Sequence, residues 1–514
     1  MDAMGSNLNL NRFAMKRPGN MPQTGNSQNR VSASESAEAA FWDFRMSIME
    51  FCLLIGVVLG GISLHLGPVL HSALGVVLLY ALAVCSYLSP VTAFVYFACA
   101  QFLPFPENSP NNPAQIGVIV FLPIALLRYR RINLGGLWRL WPVLPFLIWY
   151  EVLTQEHIYL PNSEYMKALF YSAIACHFIN ESKGQHLKCL FGLCLGAILV
   201  MIAYWALQVG LPVEINDWGA DREGFSRQGG GRADAVMVWP ALLMGISGLI
   251  GIQIAFASKI SPASSPKWLT YVSLMLTIAA LPPLISTMCH GAVAGLICVL
   301  GALVWAGNLA AKGGAMSNPR FRQLVSMAVC GVVIVALLFA VDAFQLRTKM
   351  FALDQHYKET MKESGAAASR SGVWHDSINT IMTYPLFGIK VTGDREVITS
   401  EYASQGNYLS HNIFLDFGRS VGIPGMIFLA FFFFYPGYRM WVAGDYLRYL
   451  PFLLVHFALL IFWMSLSFTF YKTFWTFWML AAMAVSTPRF VRRRSGASAT
   501  SRLIGRRPRT WSRA

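Results

Sequence analysis

The chain of 514 residues is 55% hydrophobic and only 13% charged, with 40 Lys and Arg against 25 Asp and Glu for a formal charge of +15. A soluble globular domain carries about 25% charged residues, so this composition excludes that class and assigns most of the chain to lipid. Apolar runs long enough to cross a hydrocarbon core of about 30 Å recur along it; barrel strands would be roughly half as long, so the class is an all-α polytopic membrane protein.

In chain order, residues 1–45 are rich in Asn, Ser, Gly, Arg and Lys, with no apolar region ahead of a small-residue cleavage site. They predict a disordered cytoplasmic tail and no signal peptide. A bundle of about eleven spans follows over 46–341, and a long polar stretch over 342–410 separates it from C-terminal helices over 411–487. The individual spans are expected near 46–66, 68–88, 90–104, 115–128, 138–154, 165–180, 188–208, 235–257, 268–287, 291–308, 323–341, 412–435, 449–468 and 472–487. Several are short for a bilayer, which sets the total at about 12 to 14. Residues 488–514 form a basic tail holding Arg489, Arg492, Arg493, Arg494, Arg502, Arg506, Arg507, Arg509 and Arg513 and no acidic residue.

Strict alternation from a cytoplasmic N-terminus puts Arg128–Arg139, Lys183–Lys188, Lys259–Lys267, Lys312–Arg322, Arg439–Arg448 and the C-terminal tail on one side, and each carries Lys or Arg. The positive-inside rule makes that side cytoplasmic and predicts both termini inside a bacterial inner membrane. Juxtamembrane arginines of this kind meet anionic lipid headgroups, so membrane lipids, not nucleic acid, are the expected partners. Alkaline phosphatase fused after Gly365 should therefore be active and after Thr500 inactive; the reverse pattern would refute the topology. The nine cysteines lie in or at the ends of apolar runs and suggest packing residues, with no zinc site and no disulfide framework.

The other side receives Leu103–Gln115, Thr154–Glu164, Val209–Asp234 and Asp342–Ser410. The last has about 69 residues, far beyond the roughly 2 to 8 of a helix connector. Its aromatic residues Trp374, Tyr384, Phe387, Tyr402 and Tyr408, with apolar residues at helical spacing over 371–382, predict a small helical subdomain on the membrane surface. Its acidic residues, Asp376 among them, alternate with Lys and Arg as on a solvated face.

Chemistry concentrates on this side. The 209–234 loop carries Arg222, Arg227 and Arg232 among Gly224, Gly229, Gly230 and Gly231, a set that fits phosphate oxygens and equally fits a plain flexible loop. Arg370 and Trp374 precede Tyr384-Pro385-Leu386-Phe387-Gly388, and Ser410-His411-Asn412 opens the next apolar helix. A neutral imidazole there can take a proton from a hydroxyl, while Asn412 or Ser410 can simply cap the helix. Asp416 and Arg419 share a face of that helix, as an ion pair at membrane depth or as a packing contact. A transporter would instead show paired broken helices and midplane charge, which this pattern lacks.

Arg370 and Trp374, then Pro385-Leu386-Phe387-Gly388, then His411-Asn412-Ile413-Phe414-Leu415 and Gly422-Ile423-Pro424-Gly425 together resemble the shared domain of O-antigen ligases and O-antigen or exopolysaccharide polymerases. The resemblance implies a GT-C-like fold with one large periplasmic loop. It also implies transfer of a glycan from an undecaprenyl diphosphate carrier to an acceptor glycan or to lipid A-core, with no cofactor, alongside other polysaccharide-assembly proteins. Under it His411 and Arg370 are the catalytic pair, and Arg222, Arg227, Arg232, Trp374 and Asn412 bind substrate. Many relatives have a Ser-Arg pair where this chain reads Cys289-His290, so His290 becomes a substitute phosphate ligand. Polymerisation of lipid-linked repeats is the first expectation, ligation to lipid A-core the second, and transport of lipid-linked glycan the alternative of another class.

Overall fold

The computed structural model describes residues 40–42, 89–100, 127–153, 164–209, 235–257, 267–286, 290–312, single helical positions between 322 and 347, 370–389, 412–465 and 472–485. These residues form helices and turns and, among them, no strand. The helices are α1 (Pro90–Ala100), α2 (Leu144–Leu153), α3 (Glu164–Glu181), α4 (His186–Val209), α5 (Ala235–Ala257), α6 (Lys267–Ser286), α7 (His290–Lys312), α8 (Arg370–Thr383), α9 (Ile413–Val442), α10 (Tyr446–Ser465) and α11 (Lys472–Val485). Every predicted span from 90 onward has its helix or scattered helical positions here, apart from 115–128. That span and those near 46–66 and 68–88 fall outside the described residues, save 127–129, which is helical.

Two bounds differ from expectation for a readable reason. The span expected over 138–154 opens as a 3-10 turn, Leu137–Val143, before α2 begins. Pro142 and Pro145 remove two backbone donors from its first turns, so a continuous α-helix cannot start there. Conversely α9 runs seven residues past the expected 435, straight through Pro436. A proline leaves the carbonyl four residues earlier without its donor, and here the Trp478 indole of α11 donates to that Phe432 carbonyl at 3.1 Å. Trp478 also stacks on Phe432 with ring centroids 4.8 Å apart, so one side chain heals the gap and holds α11 against α9.

The core is built around α5, whose residues Trp239–Ala257 are apolar enough to cross a membrane and almost wholly buried within the bundle. Ile413–Val442 and Tyr446–Met464 meet the same criterion of length and composition. Within lipid the hydrophobic effect does not drive helices together, so close approach depends on small residues. Gly245 of α5 lies against Ile198 of α4, Gly248 against Cys194, and Gly251 against the backbone of Pro451 in α10. Gln253 adds polar contacts across to α6: it donates to Ser273 Oγ at 3.0 Å and accepts from Thr270 Oγ1 at 3.0 Å. The chain is thus a helical membrane protein packed by small residues and buried side-chain amides.

Candidate active site

The site is organised by the first half of α9. Asn412 stands in extended conformation (φ −138°, ψ 112°) just before it, and its Oδ1 accepts from the N–H groups of Phe414 at 3.0 Å and Leu415 at 3.4 Å. Of the two readings of this helix start, capping therefore holds for Asn412, which is 8% exposed. The cap leaves the positive end of the helix dipole facing the residues immediately before it, where His411 stands in the sequence.

Two turns further, Arg419 is half-buried and lies in the fields of two carboxylates, Asp416 on α9 and Asp376 on α8. Charges at this depth are tolerable when they compensate one another. The sequence alone offered Asp416 and Arg419 as an ion pair or as a packing contact and left Asp376 on a solvated surface; the fold brings the charge of Asp376 to bear on Arg419 as well. Nothing in its spacing marked it, because the contact is between helices.

Ten residues into α9 the helix is broken. Gly422 has φ 77° and ψ 178°, a conformation essentially confined to glycine. The break removes the bond that would have joined the Ile423 N–H to the Arg419 carbonyl. The turn after α8 fills both halves: Ile389 N–H donates to the Arg419 carbonyl at 2.8 Å, and Ile423 N–H donates to the Pro385 carbonyl at 2.8 Å. Gly388, at φ +63°, lies against the backbone of Arg419 and Ser420, and Gly422 lies against Leu386 and Phe387. A side chain on either glycine would collide with backbone that cannot move aside.

Trp149 of α2 completes this joint. Its indole donates to the Val421 carbonyl at 2.8 Å, its ring stacks on Phe387 with centroids 5.9 Å apart, and its edge lies where a Cβ on Gly425 would stand, at 3.0 Å. Thus Pro385-Leu386-Phe387-Gly388 and Gly422-Ile423-Pro424-Gly425 are the two faces of one backbone-to-backbone lock. Trp149 went unnoticed in the sequence, being one tryptophan among 15, mostly in apolar runs.

The lock sets the direction of α8. Ile381 packs on Gly418 and Pro385 meets Ile423, so the last turn of α8 follows α9 before the chain reverses and returns to Arg419 at Ile389. Followed backwards, α8 rises toward the Asn412 end and begins at Arg370, with Trp374 half-buried one turn along. The starts of α8 and α9, which carry Arg370 and Asn412, thereby belong to one end of the bundle. The backbone of His290 opens α7, whose Trp305 stacks on Trp441 at the opposite end of α9, so α7 runs in the same direction. His411, Arg222, Arg227 and Arg232 lie outside the described residues. Among the described residues no three His, Cys, Asp or Glu side chains gather as metal ligands would.

A groove of about 310 Å³ opens beside the lock, lined, among the described residues, by the apolar Pro385, Leu386, Ile423, Pro424, Ile427 and Phe428. Residues 272–430 match the family model Wzy_C, described as O-antigen ligase. The matched stretch runs from α6 to the part of α9 just past the break and so contains the lock, the charge cluster and the cap. No curated protein matches the chain.

Proposed function

From the O-antigen ligase domain that this membrane chain carries, we propose that the protein transfers a glycan from an undecaprenyl diphosphate carrier to a sugar hydroxyl on the periplasmic face of the bacterial inner membrane, polymerising lipid-linked repeat units. The observation that carries this reading is the joint beginning of α8 and α9: a potential phosphate-binding guanidinium, Arg370, starts one helix, and His411 precedes the capped start of the other. The lock at Gly422 holds the two helices in register. The apolar groove at that lock supports the same reading, since a carrier of this class needs a place for an isoprenoid chain beside its headgroup.

The chemistry follows from the leaving group. His411 takes the proton of the acceptor hydroxyl, the hydroxyl oxygen bonds to the anomeric carbon, and the bond from that carbon to the diphosphate oxygen breaks with its electron pair. The departing diphosphate gains negative charge, which Arg370 offsets as a bidentate donor, joined by Arg222, Arg227 and Arg232 from the 209–234 loop and by His290. Trp374 offers a ring face to a sugar. Asp416 and Asp376 offset the charge of Arg419 in its half-buried site. The stretch over 342–410 is periplasmic in this reading, and both termini are cytoplasmic.

Arginines take the role that a divalent ion has in many phosphate-releasing enzymes, so activity on a lipid-linked substrate should survive a chelator. Loss of transfer with chelator and its return with magnesium would overturn this. A second reading, ligation of finished polymer onto lipid A-core, is favoured by the description of the matched family. Deleting the gene and separating the lipopolysaccharide and secreted polysaccharide by electrophoresis decides between them. Single-repeat products support polymerisation, bare core with carrier-linked polymer supports ligation, and unchanged glycans would remove both.

A further inference from the structure

The exposed side of α8 changes character along its length. Near the start it carries His375 and Asn379, whose side chains pair at 3.1 Å. From Met382 onward, through the turn that follows, it carries Met382, Tyr384, Pro385, Leu386 and Phe387, with Met382 70% and Leu386 60% exposed. The sequence changes at the same place: the stretch over 342–410 is rich in charge, yet residues 377–389 hold no Asp, Glu, Lys, Arg or His. Polar groups that remain here are turned inward. The exposed Thr383 donates its hydroxyl to the Asn379 carbonyl at 2.8 Å. Tyr384 N–H donates to the Thr380 carbonyl and Gly388 N–H to the Tyr384 carbonyl, each at 3.0 Å, and Pro385 has no N–H to satisfy. With the two bonds of the lock, these pair backbone groups of the turn within the protein, as a lipid environment demands.

The depth of the turn follows from α9. The exposed Tyr438 and Trp441, with Trp305 stacked on Trp441, collect at one end of the bundle, as Tyr and Trp do at a membrane-water boundary. Counted back from Arg439 beside them, the roughly 20 residues that cross a hydrocarbon core of about 30 Å end at Arg419, whose carbonyl holds Ile389. A tilt of α9 lengthens the crossing and leaves the turn deeper. The path along α2 gives a deeper position as well: Trp149, bound to Val421, lies only about 20 Å along the helix from the exposed Trp138, which lines a small pocket with Arg439. The apolar surface is also continuous with the outer wall of the bundle. Leu386 shares its groove with Ile427, and the exposed Ile427, Phe431 and Phe434 follow one another down α9.

We propose that residues 382–387 are a membrane-inserted edge, in which Met382, Tyr384, Leu386 and Phe387 bind the boundary between headgroups and acyl chains in the leaflet nearest the candidate active site. From this edge α8 stands out of the bilayer instead of lying along it. Lipid then presses the turn against the Gly422 break from outside while the hydrogen bonds of the lock hold it from within. The groove beside the lock opens sideways into the acyl layer. This inference rests on membrane crossing alone and holds whether or not the protein transfers glycan.

The test uses the full chain in phosphatidylcholine nanodiscs and two probes, each read residue by residue by mass spectrometry after digestion. A phosphatidylcholine with a diazirine in its acyl chain should, on irradiation, leave adducts on Met382, Tyr384, Leu386 and Phe387 as on Ile427 and Phe431, and none on His375 or Asn379. Hydroxyl radicals generated in the water should oxidise His375 and spare Met382, although methionine is the more readily oxidised side chain in water. Ready conversion of Met382 to its sulfoxide would place the edge in water and overturn the proposal. Lipid adducts spread equally over His375, Asn379 and residues 382–387 would show α8 lying flat and overturn it too. Neither adducts nor oxidation at 382–387, with Ile427 labelled, would show the edge covered by protein, a third outcome that sinks it.

Discussion

His411→Ala should abolish glycan transfer while the protein remains inserted at normal abundance. A positioned general base contributes about 10² to 10⁴ in rate, so its removal leaves little polymer to detect. Asn412 caps the helix start through its own side chain, and that cap is kept in the variant, so the protein should still fold. Arg370→Lys should also be severe, because a point charge cannot replace two parallel donors on a diphosphate. Lys362→Ala, on a stretch whose charges alternate, should be nearly silent. Complementation of a deletion strain, with immunoblots of membrane levels, reads all three. Normal polymer from His411→Ala at normal abundance would remove the base assignment and move a transporter or a non-catalytic scaffold ahead.

The helices were legible because a bilayer demands a fixed length of apolar sequence, and α5 has the predicted bounds of 235–257. What composition could not show was how α9 passes Pro436, since that depends on an indole 42 residues later reaching the Phe432 carbonyl. The site was legible in the same uneven way. The helical spacing over 371–382 could be read, and Asn412 as one of two candidate caps of the next helix. Asp376 and Trp149 could not, because a carboxylate and an indole acquire their roles here only through partners on another helix. The motifs around Gly388 and Gly422 stood out as patterns carrying a resemblance, and the physical reason for them came only with the fold: each glycine makes room for the other segment's backbone.

Gly422→Ala should be among the most damaging single changes outside the reacting groups. An alanine in this backbone region costs about 1 to 3 kcal/mol from strain alone. The Cβ would also strike the Leu386 carbonyl and lie 2.8 Å from the Phe387 nitrogen, which are backbone atoms. Relief requires the turn to withdraw, and the Arg419 carbonyl and Ile423 N–H then lose partners inside the bundle, at roughly 1 to 3 kcal/mol each. The sum, roughly 3 to 9 kcal/mol, exceeds what ordinary substitutions do. Gly388→Ala should act through the same collision from the opposite face, so the double variant should be little worse than either single one; two unrelated lesions would add. Gly301→Ala in α7 is the control, for nothing lies within 4 Å of its added carbon and alanine favours a helix. Thermal midpoints of the purified proteins, followed by fluorescence, should fall steeply and equally for the first two and hold or rise for the third. Loosening the lock also frees the start of α8, which carries Arg370, from its register with the start of α9, so under the proposed mechanism transfer should fall with stability. A Gly422→Ala protein that melts and transfers like wild type would mean that the turn and the broken helix are not joined as described.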